Sequence, residues 1–464
     1  MTTVALPLWL LVLILLFAAG TGLDRVFKPA VRWFFRRRIE RLMARVNTRL
    51  DRKLQPFRFA ARKDMVSRLA YDRLVLEAVT EHAAETGVPA EVAFAEARGY
   101  AHEIVPSFSA YFYFGFGARA AKWLSRLLFR VRVGKVDAAL AEIDPKATVI
   151  FVMNHRSNMD YVLVTWLVST RSAISYAVGE WARIWPLSTV IRSMGAYFIR
   201  RKSRNALYRR VLARYVQMAT DDGVTQAMFP EGGLSLDGQV GPAKMGLLSY
   251  IVAGYTPGDR DVLFVPVGLG YDRVLEDRVL TSAAKAGTRQ FRARPLVILK
   301  ATAQILWGRM RGTFKGFGTA AASFGSPISL KTFLAEGQSD PIEALGARLM
   351  EAIVQVVPVL PVPLVAAVLL DGPVSRADLP ARLSAMMDRL VSVDAVLRLP
   401  PQGPEQTLIE GLDPLIARGV VVETATGLQI KDLEILSFYA APVLQRVRNS
   451  APIISTVDRR ATSP

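Results

Sequence analysis

The stretch "MNHRSNMDYV", residues 153–162, holds one of only 3 histidines in the chain, set directly after an apolar run. "ATVIFVMN" reads as a strand and "NMDYVLVTWLV" as a helix, so His155 falls on the turn that joins them. Ser157 and Asp160, three residues apart, make a capping-box-like pair at the helix start. From that turn the imidazole reaches the first helical turn, where Asp160 accepts a hydrogen bond from one ring nitrogen. The tautomer is then fixed and the other nitrogen is available as a base. The same residues also fit a surface-loop histidine beside an acid that merely serves the helix dipole. A serine-protease-like triad is disfavoured, because no G-x-S-x-G turn occurs.

Three later stretches decide between these readings. "GAYFIRR" ends a strand with Arg200 and Arg201, "FPEGG" sets Glu231 before Gly232 and Gly233, and "VPVGLGYD" comes next at another strand end. Together with "HRSNMD" they resemble the four ordered blocks of the glycerolipid acyltransferases, in particular the bacterial and mitochondrial glycerol-3-phosphate acyltransferases. "EARGYAHEIVP" is similar to a helical segment upstream in that family and "FGSPISL" to a strand after its fourth block, so the resemblance covers residues 54–330.

The resemblance implies transfer of a fatty acyl group from a thioester, acyl-CoA or acyl-carrier protein, to the sn-1 hydroxyl of glycerol 3-phosphate. It implies no metal and no cofactor beyond the donor. In it His155 is the base and Asp160 its orienter. Arg200 and Arg201 match the arginines that hold the acceptor's phosphate, which guanidinium groups grip bidentately. Glu231, Gly232 and Gly233 match the acceptor-binding third block, and Lys244, with Gly246 two residues on, adds positive charge to the pocket.

One departure bears on the acceptor. Where the family reads E-G-G-R-S-R, this chain reads "EGGLSL", so Leu234 and Leu236 replace two candidate phosphate ligands. The proline of "FPEGG" is also similar to the lysophosphatidic acid branch, whereas "FIRRK" is of the glycerol 3-phosphate kind. Lysophosphatidate and dihydroxyacetone phosphate are therefore the alternative acceptors. A non-enzymatic membrane scaffold or nucleic-acid binder with a decayed acyltransferase fold is the alternative of a different class, favoured by the strongly basic composition and Leu234; against it, His155, Asp160 and Glu231 are all intact.

The elements that must position these residues divide the chain. Residues 1–23 contain "VALPLWLLVLILLFAAGTGL", uncharged over about the ~20 residues a bilayer-spanning helix needs, and read as a membrane anchor rather than a cleaved signal peptide. Residues 24–56 are Arg-rich, which puts the chain beyond Leu23 in the cytoplasm, and Arg37, Arg41, Arg45 and Arg49 share one face of a membrane-surface helix. Residues 57–135 read as a helical domain. In residues 136–335 short β-branched runs alternate with helices, the pattern of an α/β layer with a central sheet flanked by helices. Residues 336–464 read as a small α-rich C-terminal domain, entered through an apolar, proline-interrupted stretch at 352–370 that is expected to be a kinked buried or interfacial helix.

Composition agrees. Hydrophobic residues make up 51% of the 464, excluding general disorder. The absence of cysteine excludes disulfides and a thiolate nucleophile. A net charge of +19 favours an anionic partner, and the apolar N-terminus selects membrane phospholipids over nucleic acid, for which no stacking-platform motif is present.

Overall fold

The computed structural model describes residues 62–449 apart from 135–142, 170, 180–182, 184–186, 201–202, 204, 259, 288–303, 306, 313, 315, 373–374 and 425–426. The expected anchor at 1–23 and basic helix at 24–56 lie outside the described residues. No described helix is long and apolar enough to cross a membrane.

Three helices come first: α1 (Arg62–Ala70), α2 (Arg73–Thr86) and α3 (Ala90–Ile104). Asp72 caps α2 by accepting the Leu74 N–H, and Gly87, at φ +71°, ends it in the left-handed conformation that glycine adopts without cost. A helical turn at Ala110–Phe112 and a π-turn at Tyr113–Gly117 lead into α4 (Ala118–Leu128). The segment expected to stay helical to residue 135 instead ends in a strand, β1 (Arg130–Val133).

The central layer then alternates: β2 (Thr148–Met153), α5 (Met159–Val168), β3 (Ser175–Gly179), α6 (Leu187–Ser193), β4 (Tyr197–Ile199), α7 (Ala206–Asp221), β5 (Gln226–Met228), α8 (Gly246–Gly254), β6 (Val262–Tyr271), α9 (Asp277–Lys285), β7 (Thr319–Phe324) and β8 (Ile328–Ser329). The strands form one sheet in the order β1-β7-β6-β2-β5-β3-β4, with β8 also on β6. From β6 to β4 all neighbours run parallel. β7 runs antiparallel to β6 and carries β1 parallel to itself at the edge.

Every residue of β2 is buried, as a strand covered on both faces requires. Val149, Phe151 and Met153 enter one apolar cluster, while Ile150 and Val152 enter the other, which α1–α3 and α7 share.

The chain closes with α10 (Leu330–Ala335), α11 (Pro341–Val356), α12 (Pro361–Leu370), α13 (Leu379–Val391), α14 (Pro404–Ala417), the hairpin β9 (Val421–Thr424) and β10 (Gly427–Ile430), and α15 (Leu433–Asn449). The apolar 352–370 stretch is two helices broken at 357–360, and nine of the ten residues of α12 are buried. The break crosses directly over β6. A Cβ at Gly268 would lie 2.3 Å from the Val356 carbonyl oxygen, and one at Gly270 2.9 Å from that of Pro358, which accounts for both glycines of "VPVGLGYD". The C-terminal helices also complete the cluster that holds Val149, Phe151 and Leu269, so residues 336–449 share a core with the sheet.

Candidate active site

β2 delivers His155. Beyond its last residue, Asn154 donates to the Leu269 carbonyl at 2.9 Å and accepts the Leu269 N–H at 2.7 Å, so a side-chain amide continues the β2–β6 ladder and fixes where the turn begins.

Asp160 gathers that turn. Its Oδ2 lies 2.9 Å from His155 Nδ1 and accepts the backbone N–H groups of Arg156 at 2.7 Å and Ser157 at 3.0 Å. Its Oδ1 accepts the Tyr271 hydroxyl at 2.7 Å. Because a carboxylate only accepts, the ring hydrogen that meets it sits on Nδ1, and Nε2 is the ring nitrogen that Asp160 does not engage. Both side chains are buried. The expected capping pair forms only in half: Asp160 accepts the Ser157 N–H, but the Asp160 N–H goes to the Ser157 carbonyl at 3.0 Å, and Ser157 Oγ instead accepts the Met159 N–H at 3.2 Å and donates to Glu276 at 2.8 Å. Burial and the adjacent Asp160 charge push the Tyr271 phenol well above its ordinary pKa, which keeps it a donor. The His155 ring stacks on Phe229, centroids 4.1 Å apart, and meets Tyr161 edge-on at 5.5 Å.

Glu231 lies beneath this turn. Its Oε1 accepts the His155 N–H at 2.9 Å and its Oε2 the Gly241 N–H at 3.2 Å, so the carboxylate braces the two loops that meet at the histidine. Burial, only partly opposed by those two N–H groups, pushes its pKa up to about 7. Gly232, at φ +65°, sits against the Lys244 stem, where a Cβ would come within 2.8 Å of Cδ. Gly233 is half-buried. Leu234 and Leu236 pack against the cluster that includes the α5 residues Leu163 and Val164.

Loop 231–241 is in turn held by the C-terminal helix. Gln445 accepts the Val240 N–H at 2.9 Å and donates to the Val240 carbonyl at 3.0 Å. The buried Arg156 guanidinium lies 4.6 Å over the Phe438 ring and donates to the Gly238 carbonyl. A Cβ on Gly238 would stand 2.0 Å from the Phe438 carbonyl oxygen.

Arg200, next after β4, engages Glu103 of α3 through Nε at 2.9 Å and Nη2 at 2.6 Å, and Arg183 pairs with the same carboxylate. Burial works against ionisation of Glu103, but these hydrogen bonds outweigh it and hold its pKa below the ordinary range. Arg192 donates to the Glu103 carbonyl oxygen at 3.2 Å. Two guanidinium groups thus meet at one carboxylate, with a third on the same residue's backbone carbonyl. Arg201 lies outside the described residues.

His155, Arg200 and Glu231 come just after the C-terminal ends of parallel strands and Tyr271 closes another, the edge at which open α/β sheets bind ligands. A separate cavity of about 260 Å³, lined among others by Gln217, Asp221 and Arg260, opens where Val262 begins β6 and contains none of these groups. Among the described residues no cluster of His, Asp and Glu is arranged to hold a metal.

The model of the acyltransferase family matches residues 135–270, and the model of the glycerol-3-phosphate acyltransferase C-terminal region matches residues 303–451, together more than half of the chain. The chain belongs to the glycerol-3-phosphate acyltransferase family. It is similar to the glycerol-3-phosphate acyltransferase of Aeromonas hydrophila subsp. hydrophila, with 30% identity over 59% of this chain and 33% of that protein. With the glycerol-3-phosphate acyltransferase of Ectopseudomonas mendocina it shares 28% identity over 75% of this chain and 43% of that protein. The chain therefore spans less than half the length of either relative. Among solved structures, the 1-acyl-sn-glycerophosphate acyltransferase of Thermotoga maritima matches with 22% identity and a TM-score of 0.30, over 52% of this chain and 77% of that one.

Several groups in this member of the glycerol-3-phosphate acyltransferase family had no assigned role from sequence. Tyr271 closes the "VPVGLGY" run and Glu103 sits inside "EARGYAHEIVP", so both lie in stretches marked by resemblance. Arg156 stands inside "HRSNMD", where the sequence gives it no role of its own. Phe438 and Gln445 carry no local signal.

Proposed function

We propose that the chain moves a fatty acyl group from a thioester, acyl-CoA or acyl-carrier protein, to the sn-1 hydroxyl of glycerol 3-phosphate. The observation that carries this reading is the buried His155–Asp160 contact of 2.9 Å at the C-terminal edge of the sheet of a glycerol-3-phosphate acyltransferase family member. His155 Nε2 takes the hydroxyl proton as the oxygen attacks the thioester carbon, a role worth about 10²–10⁴ in rate. The new C–O bond forms, the C–S bond breaks, and the proton passes from the imidazolium to the departing sulfur. Asp160 orients the ring and stabilises its transient charge. Arg200, Arg201 and Lys244 bind the acceptor's phosphate, and Gly232 and Gly233 let backbone approach the acceptor. Glu231 serves by positioning His155. An N-terminal span and the Arg-rich segment behind it hold the catalytic part at the cytoplasmic side of a membrane.

The test is thiol release by the full chain with glycerol 3-phosphate, lysophosphatidate and dihydroxyacetone phosphate in turn. Glycerol 3-phosphate is expected to be the best acceptor, with His155→Ala inactive and Arg200→Ala raising the acceptor's KM about ten- to a hundredfold while leaving the donor's unchanged. Faster acylation of lysophosphatidate would overturn the acceptor. His155→Ala within about tenfold of wild type would overturn the mechanism.

A further inference from the structure

One face of the molecule is apolar and faces outward. Tyr111, Phe116 and Trp123 are 74%, 61% and 59% exposed. They lie on the helical turn, the π-turn and α4, which succeed one another without a break. Tyr113, within the π-turn, is buried with Ala173 and Met194, with Phe112 and Phe114 half-buried against them, and it anchors the segment while Tyr111 and Phe116 stay exposed.

The patch continues onto α6, where Leu187 and Val190 are exposed. The two pieces adjoin, because Ser109 N–H donates to the Ser193 carbonyl at 3.0 Å and a Cβ on Gly117 would lie 2.1 Å from Met194 Sδ. Folding normally removes such residues from water, and a contiguous set left outside marks a surface with an occupant.

The charge around the patch says which occupant. Phe116, Arg119 and Trp123 share a helical stripe, and exposed Lys122 and Arg126 flank it. Aromatic rings with basic residues at their rim match the boundary between headgroups and acyl chains of an anionic bilayer: the rings are amphipathic or apolar, and the cations meet lipid phosphates. A net charge of +19 reinforces the attraction. We propose that the face formed by Tyr111, Phe116, Trp123, Leu187 and Val190 seats this part of the protein on an anionic lipid bilayer.

The placement has a functional consequence. α4 packs against α5, the helix that opens at Asp160, and Arg126 lies 5.4 Å over the α5 Trp166 ring. Seating this face brings the dyad's helix alongside the lipid, where acyl chains are found.

The absence of cysteine makes the test direct. The full chain carrying Phe116→Cys is labelled with an environment-sensitive fluorophore and reconstituted into vesicles containing doxyl-labelled lipid. Val391→Cys, on a residue 60% exposed at the end of α13, serves as the reference position. Quenching is expected at Phe116→Cys and not at Val391→Cys. It is expected to weaken about threefold when phosphatidylglycerol is replaced by phosphatidylcholine, because the basic rim then has no counter-charge. An unquenched label at Phe116→Cys would overturn the proposal, whether a second copy or another segment of the chain covers the face. So would equal quenching at both positions. Quenching that is indifferent to phosphatidylglycerol would overturn the anionic requirement.

Discussion

At the residue scale, Glu231 is the group whose placement changes its expected part. Its two oxygens are taken by the N–H groups of His155 and Gly241. In the folded chain its pKa is about 7, against an ordinary value of 4.5. Between these values the native state binds more protons than the unfolded one. This linkage contribution to stability is present below about pH 4.5 and is lost as pH rises through about 7. Activity runs the other way, since only the ionised carboxylate offers acceptors to both N–H groups at once. Glu231→Gln cannot titrate, so its thermal midpoint should lack the fall that wild type shows across that window; superimposable curves would refute the assignment. Its amide also turns a donor toward one backbone N–H, which should lower kcat about ten- to a hundredfold. Tyr271→Phe tests the other side of the dyad. It removes the hydroxyl that donates to Asp160 Oδ1 and should lower kcat by a similar factor while leaving acceptor KM in place. Unchanged kcat would show that the turn's backbone N–H groups suffice to hold Asp160.

At the element scale, what was legible in the sequence is what rests on local pattern. The runs "TVIFVM" and "VLFVPVGLGY" announced β2 and β6 because buried parallel strands are continuous apolar runs, and the H-x4-D spacing announced the turn between β2 and α5. β7 reads "TAAASF", and alanine has little strand propensity, so only the sheet around it explains it. β1 was masked by the helical pattern before it. The hold of α15 on loop 231–241 was illegible for another reason: Gln445 and Val240 are joined only in space. Gln445→Ala removes both hydrogen bonds to Val240, at about 1–3 kcal/mol, and loosens the loop whose Glu231 supports His155. Its expected signature is a drop in kcat of about tenfold or more with donor KM unchanged. Gly238→Ala should be harsher, since a φ of +88° and a backbone oxygen both exclude the methyl group, and its measured thermal midpoint should fall well below that of Gln445→Ala.

At the scale of the whole molecule, the sequence divided at residue 335 and the core does not. Leu364, Val365 and Val368 of α12 and Leu412 and Leu415 of α14 belong to the same cluster as Val149, Phe151 and Met153 of β2. The linker before α12 runs over β6, and the buried Asp272, the residue directly after that strand, accepts the Val362 N–H at 2.9 Å. An apolar helix covered on every side cannot leave its partners without exposing both surfaces to water, so the acyltransferase part and the C-terminal part should open as one cooperative unit. Gly411 is the place to test this. A Cβ there would lie 2.5 Å from the Pro361 carbonyl oxygen, where α14 crosses the start of α12, so Gly411→Val overpacks that crossing by about 1–3 kcal/mol. Hydrogen exchange on the intact chain then reads two sets of amides, those of β2 beside His155 and those of α12. If they share one unfolding step, the substitution should lower protection of both by the same factor, about ten- to a hundredfold. A loss confined to α12, with β2 as protected as before, would show that residues 336–449 open on their own and that the C-terminal helix is a detachable cover over the site.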